Sequence, residues 1–430
     1  MFRVVIPAIL AVALTACGGG GGGGGGNTPP VVEALQFVAS IAASEMHMSI
    51  AKFTGGDTQH LVMAGLKHLG AGRTEPAPVK VYQLADNGTM IDATVSVLGG
   101  ATTVSTNSIL IADFNRDGID DLFLPGFSDT QDLLPSVAFI SRPGQSHIRV
   151  DLPDPVWAHG ATVIDANNDG NLDVMSAWGE IWFNDGQGNF RFQTHTYQST
   201  PGFWIHGSGI CVGDFNNTGS QQVVLTDQNI NSHSGPIADT VIFELGPTGL
   251  PVAQHYLPVP VLDRNSTTVE LSHDVTCRTA DINNDGLLDI LVFSRPWALA
   301  GGSWTNQGVI QTLINRGNWQ FEDTTDVSMS SYNSQVLVSY TARLLDLNND
   351  GKIDIWASYF DWNTGNSNQV LLNNGTGIFT PWQATRMQSF GASGGMIPVK
   401  FGNQWAFVVS RINNNSSSNL YMTRPVYSFQ

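Results

Sequence analysis

The chain has 430 residues, 42% of them hydrophobic, which is enough for a sizeable core and too many for one small domain. Charged residues make up 13%, and the formal net charge is -17. That acidity argues against nucleic acid or an anionic membrane surface as partner.

The N-terminus reads as a processing signal rather than as part of a fold. Arg3 precedes VVIPAILAVAL, an apolar run too short to span a bilayer as a mature helix. Leu14-Thr15-Ala16-Cys17 follows and resembles the lipobox of bacterial lipoproteins. The resemblance implies that residues 1–16 are removed and that Cys17 becomes a lipidated N-terminus. The glycine tract Gly18 to Gly26 then supplies a flexible tether, so 17–30 forms a lipid-anchored linker. No Asp follows Cys17, so no inner-membrane retention signal is evident. The expected address is the outer membrane or cell surface, with the membrane touched only through the anchor.

Residues 31–430 read as one repeat architecture. An acidic nonapeptide recurs as DFNRDGIDD (113–121), DANNDGNLD (165–173), DFNNTGSQQ (214–222), DINNDGLLD (281–289) and DLNNDGKID (346–354). Two further units keep only the apolar pattern: KFTGGDTQHLVMAG (52–65), and Lys400-Phe401-Gly402-Asn403 followed by WAFVVS. A second marker, an apolar strand running into an Asn-Gly type turn, reads IWFNDGQGNF (181–190), TLINRGNWQF (312–321) and VLLNNGTGIF (370–379). VYQLADNGTM (81–90) is a looser copy.

Each unit is therefore predicted as strand, acidic loop, strand, longer loop, strand, tight turn, strand, and no stretch carries a capped helical period. Seven such units predict an all-β, seven-bladed β-propeller of four-stranded blades. A β-sandwich array and a right-handed β-helix are the alternatives. The stretch Val31 to Ala39 is expected to lend a strand to the last blade and lock the ring, which would remove exposed sheet edges.

In the nonapeptide, Asp or Asn at positions 1, 3 and 5 turns oxygens toward a common centre. Gly at 6 permits a sharp turn, position 7 offers its carbonyl, and position 9 returns a carboxylate. An all-oxygen set of this kind suits Ca²⁺ better than Mg²⁺ or Zn²⁺. An EF-hand is ruled out, because position 12 is Leu124, Ser176, Val292 or Ala357 rather than Glu and the flanks are strands.

The pattern, one copy per blade, resembles the FG-GAP or VCBS repeat of integrin-α-type propellers. The resemblance implies about four Ca²⁺ sites. They comprise Asp113, Asn115, Asp117, Ile119 and Asp121; Asp165, Asn167, Asp169, Asn171 and Asp173; Asp281, Asn283, Asp285, Leu287 and Asp289; and Asp346, Asn348, Asp350, Lys352 and Asp354, with the seventh position acting through its carbonyl. Thr218 and Gln222 remove two carboxylates from the loop at 214–222, which is expected to be empty or weakly occupied. Lys52 stands at position 1 of the first unit and is expected to replace a cation with its own ammonium.

If acidic loops occupy one face, the entries to the same strands occupy the other. There Val156-Trp157-Ala158-His159-Gly160, Phe203-Trp204-Ile205-His206-Gly207 and Leu271-Ser272-His273-Asp274 recur before the loops, with Asn107 and Tyr340 at the equivalent place in two other blades. His159, His206 and His273 at even offsets would share one side of undistorted strands. They form a candidate ligand site, with Trp157 and Trp204 as stacking platforms. The competing interpretation is that each His bonds a neighbouring backbone and each Trp packs between blades.

Cys211 and Cys277 fall in equivalent strands of neighbouring repeats. A bridge is open to them in an oxidising compartment, and two buried thiols is the favoured reading. No GxSxG, HExxH, P-loop or dinucleotide fingerprint is present. The expected function is a calcium-stabilised surface binding or adhesion module for a glycan or surface protein. The alternatives are a polysaccharide lyase or hydrolase working at the pore mouth, and a scaffold subunit of an envelope complex.

Overall fold

The computed structural model describes residues 36–422, apart from 44, 71–72, 86, 129–132, 196–197, 201–202, 205–206, 228–239, 259–270, 299–302, 305–308, 331–340, 359–367, 383–394, 403 and 415–416. All of these lie in one compact unit, Glu33–Gln430. Cys17 and the signal and tether segments fall outside the described residues.

Seven four-stranded antiparallel blades follow in chain order. Blade 3 shows the plan most plainly: Ala161–Ile164 is the innermost strand, the acidic loop leads to Asp173–Ser176, and Glu180–Asn184 turns into Phe190–Thr194. The innermost strands of blades 1, 2, 4, 5, 6 and 7 are Glu45–Ala51, Leu110–Ala112, Gly207–Gly213, Leu271–Ala280, Thr341–Leu345 and Gly395–Phe401. In blade 7 the outermost strand is Gln36–Ile41, which pairs antiparallel with Ser417–Met422 from the other end of the chain. It overlaps the expected closing stretch, Val31 to Ala39, over residues 36–39, with 31–35 outside the described residues, and it seals the ring by main-chain hydrogen bonds.

The propeller also has features the repeat pattern did not announce. Blade 1 extends through Arg73–Pro78 and Thr103–Val104, and a two-stranded hairpin, Gln198–Thr200 with Phe203–Trp204, precedes blade 4. Two single helical turns, Thr94–Leu98 and Thr325–Ser328, are too short to carry an apolar period.

The core lies between blades rather than within them. Among the described residues, each of the seven seams holds its own apolar cluster. Strand geometry explains how one strand serves two seams, because successive side chains point to opposite faces. In blade 2, Leu122 and Leu124 face blade 1 while Phe123 faces blade 3. In blade 4, Val223 and Leu225 face blade 3 while Val224 faces blade 5. In blade 6, Ile355 and Ala357 face blade 5 while Trp356 stacks on Phe407 of blade 7 at 5.0 Å. Burial on both faces is why these strands read as unbroken apolar runs rather than alternating ones.

Cys211 and Cys277 form a disulfide between the innermost strands of blades 4 and 5, with Cα atoms 5.7 Å apart. This corrects the expectation of two free thiols. Equivalent innermost strands converge toward the ring axis, and that brings the two positions within bridging distance.

Candidate functional site

The acidic loops share one backbone conformation. Position 4 is left-handed in each: Arg116 (φ 62°), Asn168 (57°), Asn217 (53°), Asn284 (59°) and Asn349 (59°). Asn is among the non-glycine residues that best tolerate this region. Gly118, Gly219, Gly286 and Gly351 at position 6 are left-handed too, and an added Cβ would meet nothing within 4 Å. The backbone conformation, not space, requires glycine there.

Side-chain oxygens hold that conformation. In blade 5, Asp281 accepts the N–H groups of Asp285 (3.0 Å) and Gly286 (2.9 Å), and Asp285 accepts from Leu287 (2.9 Å). Asn283 accepts from Asp285 N–H at 3.0 Å and donates its amide to the Asp285 carboxylate at 2.8 Å. Asp113/Asp117, Asp165/Asp169 and Asp346/Asp350 repeat the pattern. Position 9 behaves differently. Asp121, Asp173, Asp289 and Asp354 are all fully buried. Each receives the N–H of position 2 on one oxygen and a main-chain N–H from the third strand on the other, as with Asp289 to Ile282 (3.0 Å) and Asn315 (2.8 Å).

Burial pushes the Asp173 carboxyl up to about 7 and that of Asp289 up to about 6, against the main-chain hydrogen bonds, and the neighbouring loop carboxylates add to the rise. Burial also raises Asp121 and Asp354. In blade 6 the Lys352 ammonium lies 3.1 Å from Asp350. Among the described residues no three His, Cys, Asp or Glu side chains converge as a metal cluster. The donors each loop presents are carboxylate, Asn amide and main-chain oxygens.

The third strand contributes a residue type that the sequence marked only as a turn. Asn184, Asn315 and Asn373 are buried in the Asn-Gly type markers. The Asn373 amide donates to Ile282 O of the preceding blade's loop (2.7 Å) and to Ile353 O of its own (3.0 Å), while its N–H reaches Asp354 (2.8 Å). Asn184 does the same to Phe114 O and Leu172 O, and Asn315 to Phe215 O and Leu288 O. In blade 7, Trp405 takes over, its indole N–H donating to Leu347 O at 3.0 Å. The signal was in the sequence: an Asn immediately before each turn, at a fixed place in the blade.

Two of the loops that depart from the motif place nitrogen donors near their oxygens. In blade 4, Gln222 accepts the Phe215 N–H (2.8 Å), as Asp does elsewhere, and its amide donates to Asn216 (3.3 Å) and Ser220 O (2.7 Å). Thr218 donates to Asn216 at 2.7 Å. In blade 1 the Lys52 ammonium pairs with Asp57 at 2.9 Å, both exposed, while Lys52 N–H reaches Asp120 in blade 2.

At the opposite end of the innermost strand of blade 3, Trp157 and His159 lie 4.5 Å apart between ring centroids. Phe127 and Trp178 complete an aromatic cluster at the seam with blade 2. The Trp157 indole donates to Ser128 O at 2.5 Å, and Asn107 donates to His159 O at 3.1 Å. His159 lines a central cavity of about 570 Å³ walled by innermost strands. Trp204 lies in the small hairpin opposite Gln198, and His273 lies opposite Arg295 in blade 5; their side chains are outside the described residues. His206 and Tyr340 are outside them altogether. The strand of blade 5 is not undistorted: a register shift between Asp274 and Thr276 breaks its alternation. His159 also precedes its strand rather than lying in it.

Two arginines missed in the sequence, Arg278 of blade 5 and Arg343 of blade 6, also line this cavity. Arg278 donates to Ala342 O (2.9 Å), Cys277 O (2.6 Å) and Thr276 (2.8 Å). Arg343 donates to Met48 O of blade 1 at 2.8 Å.

Residues 281–357, which contain the acidic loops of blades 5 and 6, match the FG-GAP-like repeat family. No curated protein matches the chain. Among solved structures, an ancestral GH74 enzyme is similar over 88% of this chain with a TM-score of 0.44 and 12% identity. The chain spans about half of that enzyme's length (51%). The V. cholerae biofilm matrix protein Bap1 is similar over 91% of this chain and 89% of its own, with a TM-score of 0.32 and 10% identity.

Proposed function

As a seven-bladed propeller carrying FG-GAP-like repeats, the chain is, we propose, a calcium-stabilised binding module at the bacterial cell surface that engages a glycan or protein at the mouth of its channel. The observation that carries the calcium assignment is the buried position-9 carboxylate. Asp173 and Asp289 are fully buried, and no basic side chain of a described residue pairs with either. A buried charge without a counter-charge is costly. Around Asp173 and Asp289 a half-buried carboxylate at position 1, an exposed one at position 5 and an Asn oxygen at position 3 lie in the same turn, and together they form an oxygen-only donor set suited to Ca²⁺. The cation would offset the repulsion and tie the two ends of the hairpin.

The address rests on the lipobox-like Leu14–Cys17 and on the disulfide, since stable bridges belong to oxidising compartments. The binding role rests on Trp157 and His159, partly exposed aromatic groups at a channel entrance. Indole faces suit the apolar faces of sugar rings.

One experiment tests both halves. Melting curves are recorded with calcium and with EGTA, and the same samples are applied to a glycan and envelope-protein array. At about 1 mM calcium each occupied loop should contribute about 0.4–1.4 kcal/mol, so chelation of four loops lowers the melting temperature markedly. Trp157→Ala and His159→Ala should abolish array binding while keeping the calcium-dependent melting. An EGTA-insensitive melt would remove the calcium assignment. Binding that persists in both variants would move the ligand site elsewhere, and turnover of a captured glycan would make the protein an enzyme.

A further inference from the structure

The cavity along the ring axis holds two cations and no anion. Arg278 and Arg343 come from adjacent blades, and none of the described residues lining the cavity is acidic. No carboxylate of a described residue pairs with either guanidinium. Their hydrogen bonds to protein do not exhaust their donors. Arg278 uses Nε and Nη1, leaving Nη2 without a protein acceptor among the described residues. Among the described residues Arg343 uses only Nη2, and its buried Nε–H has no acceptor.

This arrangement is expensive if the molecule is alone. Burial pulls both guanidinium groups down to about 10, and for Arg343 the charge of Arg278 acts in the same direction. A buried lysine or carboxyl group in such a place escapes by changing protonation state. Arginine does not, because it keeps its proton at any physiological pH. Two half-buried like charges facing one open cavity therefore favour a counter-charge from outside the chain. A partly filled guanidinium fork is suited to oxyanions, which accept two parallel N–H bonds. The cavity, at about 570 Å³, also falls inside the range of about 300–1,000 Å³ usual for small-molecule sites.

We propose that the channel is an oxyanion-binding site, in which Arg278 and Arg343 together hold the carboxylate or sulfate group of a small acidic ligand. This deepens the binding-module assignment and rests on it for biological meaning. It assigns the ligand's charge and places that charge on the axis, inward from His159. It also reconciles an anionic ligand with a protein of net charge -17: the acidic loops lie at the far ends of the same strands, and the charged residues among the described lining of the cavity are both positive.

The test is calorimetric titration of the full chain in calcium-containing buffer with glucuronate, with glucose as its uncharged counterpart, and with sulfate. Saturable, one-to-one binding of glucuronate but not glucose is expected. Arg343→Gln and Arg278→Gln should each weaken it about tenfold or more, while Arg149→Gln, at a surface arginine, should leave it unchanged. Sulfate binding alone would identify a free inorganic anion as the occupant, and glucuronate binding with sulfate competing would identify an acidic sugar. Because either variant risks misfolding, crystals of the unaltered protein soaked in selenate provide a second measurement. The anomalous peak should lie against Arg278 and Arg343. No saturable binding of either anion, equal binding in both arginine variants, or selenate located only elsewhere would overturn the proposal. Capture of a neutral glycan without anion binding would remove this inference and leave the binding module standing.

Discussion

Asn373 satisfies three backbone groups and one buried carboxylate with one side chain and one N–H. Its amide caps carbonyls from two blades, its oxygen accepts the Gly375 N–H, and its own N–H holds the buried Asp354. Alanine can do only the last of these. Asn373→Ala leaves Ile282 O and Ile353 O without their donor, so the loss should be about 2–3 kcal/mol, read as a lower urea midpoint at unchanged slope. A midpoint equal to wild type would mean that water replaces the amide. The sequence displayed this Asn three times before a turn, where turn chemistry was reason enough for it. Its second role was hidden because the acceptor lies 91 residues away.

The acidic loop of blades 2 to 6 is a single conformation built with two chemistries. In blades 2, 3, 5 and 6 carboxylates occupy positions 1, 5 and 9. In blade 4 the same main-chain bonds form around Asp214, but the Gln222 amide sits among the oxygens as an internal donor. Blade 1 departs from that frame: its left-handed residues are Gly55 and Gly56, the fourth and fifth of the unit, and Lys52 pairs with Asp57 at the surface. The frame is therefore set by backbone geometry, and the choice of Asp over Gln or Thr decides whether it needs a cation. Thr218→Asp combined with Gln222→Asp should convert blade 4. Equilibrium dialysis should find one more calcium ion per chain. In EGTA the double variant should melt below wild type, with calcium restoring the difference, since three unneutralised carboxylates repel. An unchanged ion count would show that the loop lacks something beyond those two side chains.

At the level of the molecule, closure dominates. The first described strand completes the last blade, the seven apolar seams run around the ring, and one covalent link joins blades 4 and 5. The Cys211–Cys277 bridge closes a loop with a sequence separation of 66, which in the chain-entropy picture is worth about 4 kcal/mol. Reduction, or Cys211→Ser with Cys277→Ser, should lower stability by up to that amount without opening the ring, because the apolar cluster around the two sulfurs also holds that seam. Loss of the folded circular-dichroism signal on reduction would show instead that the bridge, not the seam, keeps blades 4 and 5 together.

The sequence by itself determined what repeats: seven blades, the strand order within each, the sharp turn of the acidic loops and the closing strand. Such features rest on local chemistry, such as glycine where φ is positive and apolar runs where both faces are buried, and each recurs often enough to be read. The tertiary structure alone decided what meets on the axis. It paired two cysteines, broke the alternation before Thr276 with a register shift, and faced Arg278 and Arg343 into one cavity. Those outcomes depend on how far innermost strands converge once the ring closes, a distance that no single blade encodes.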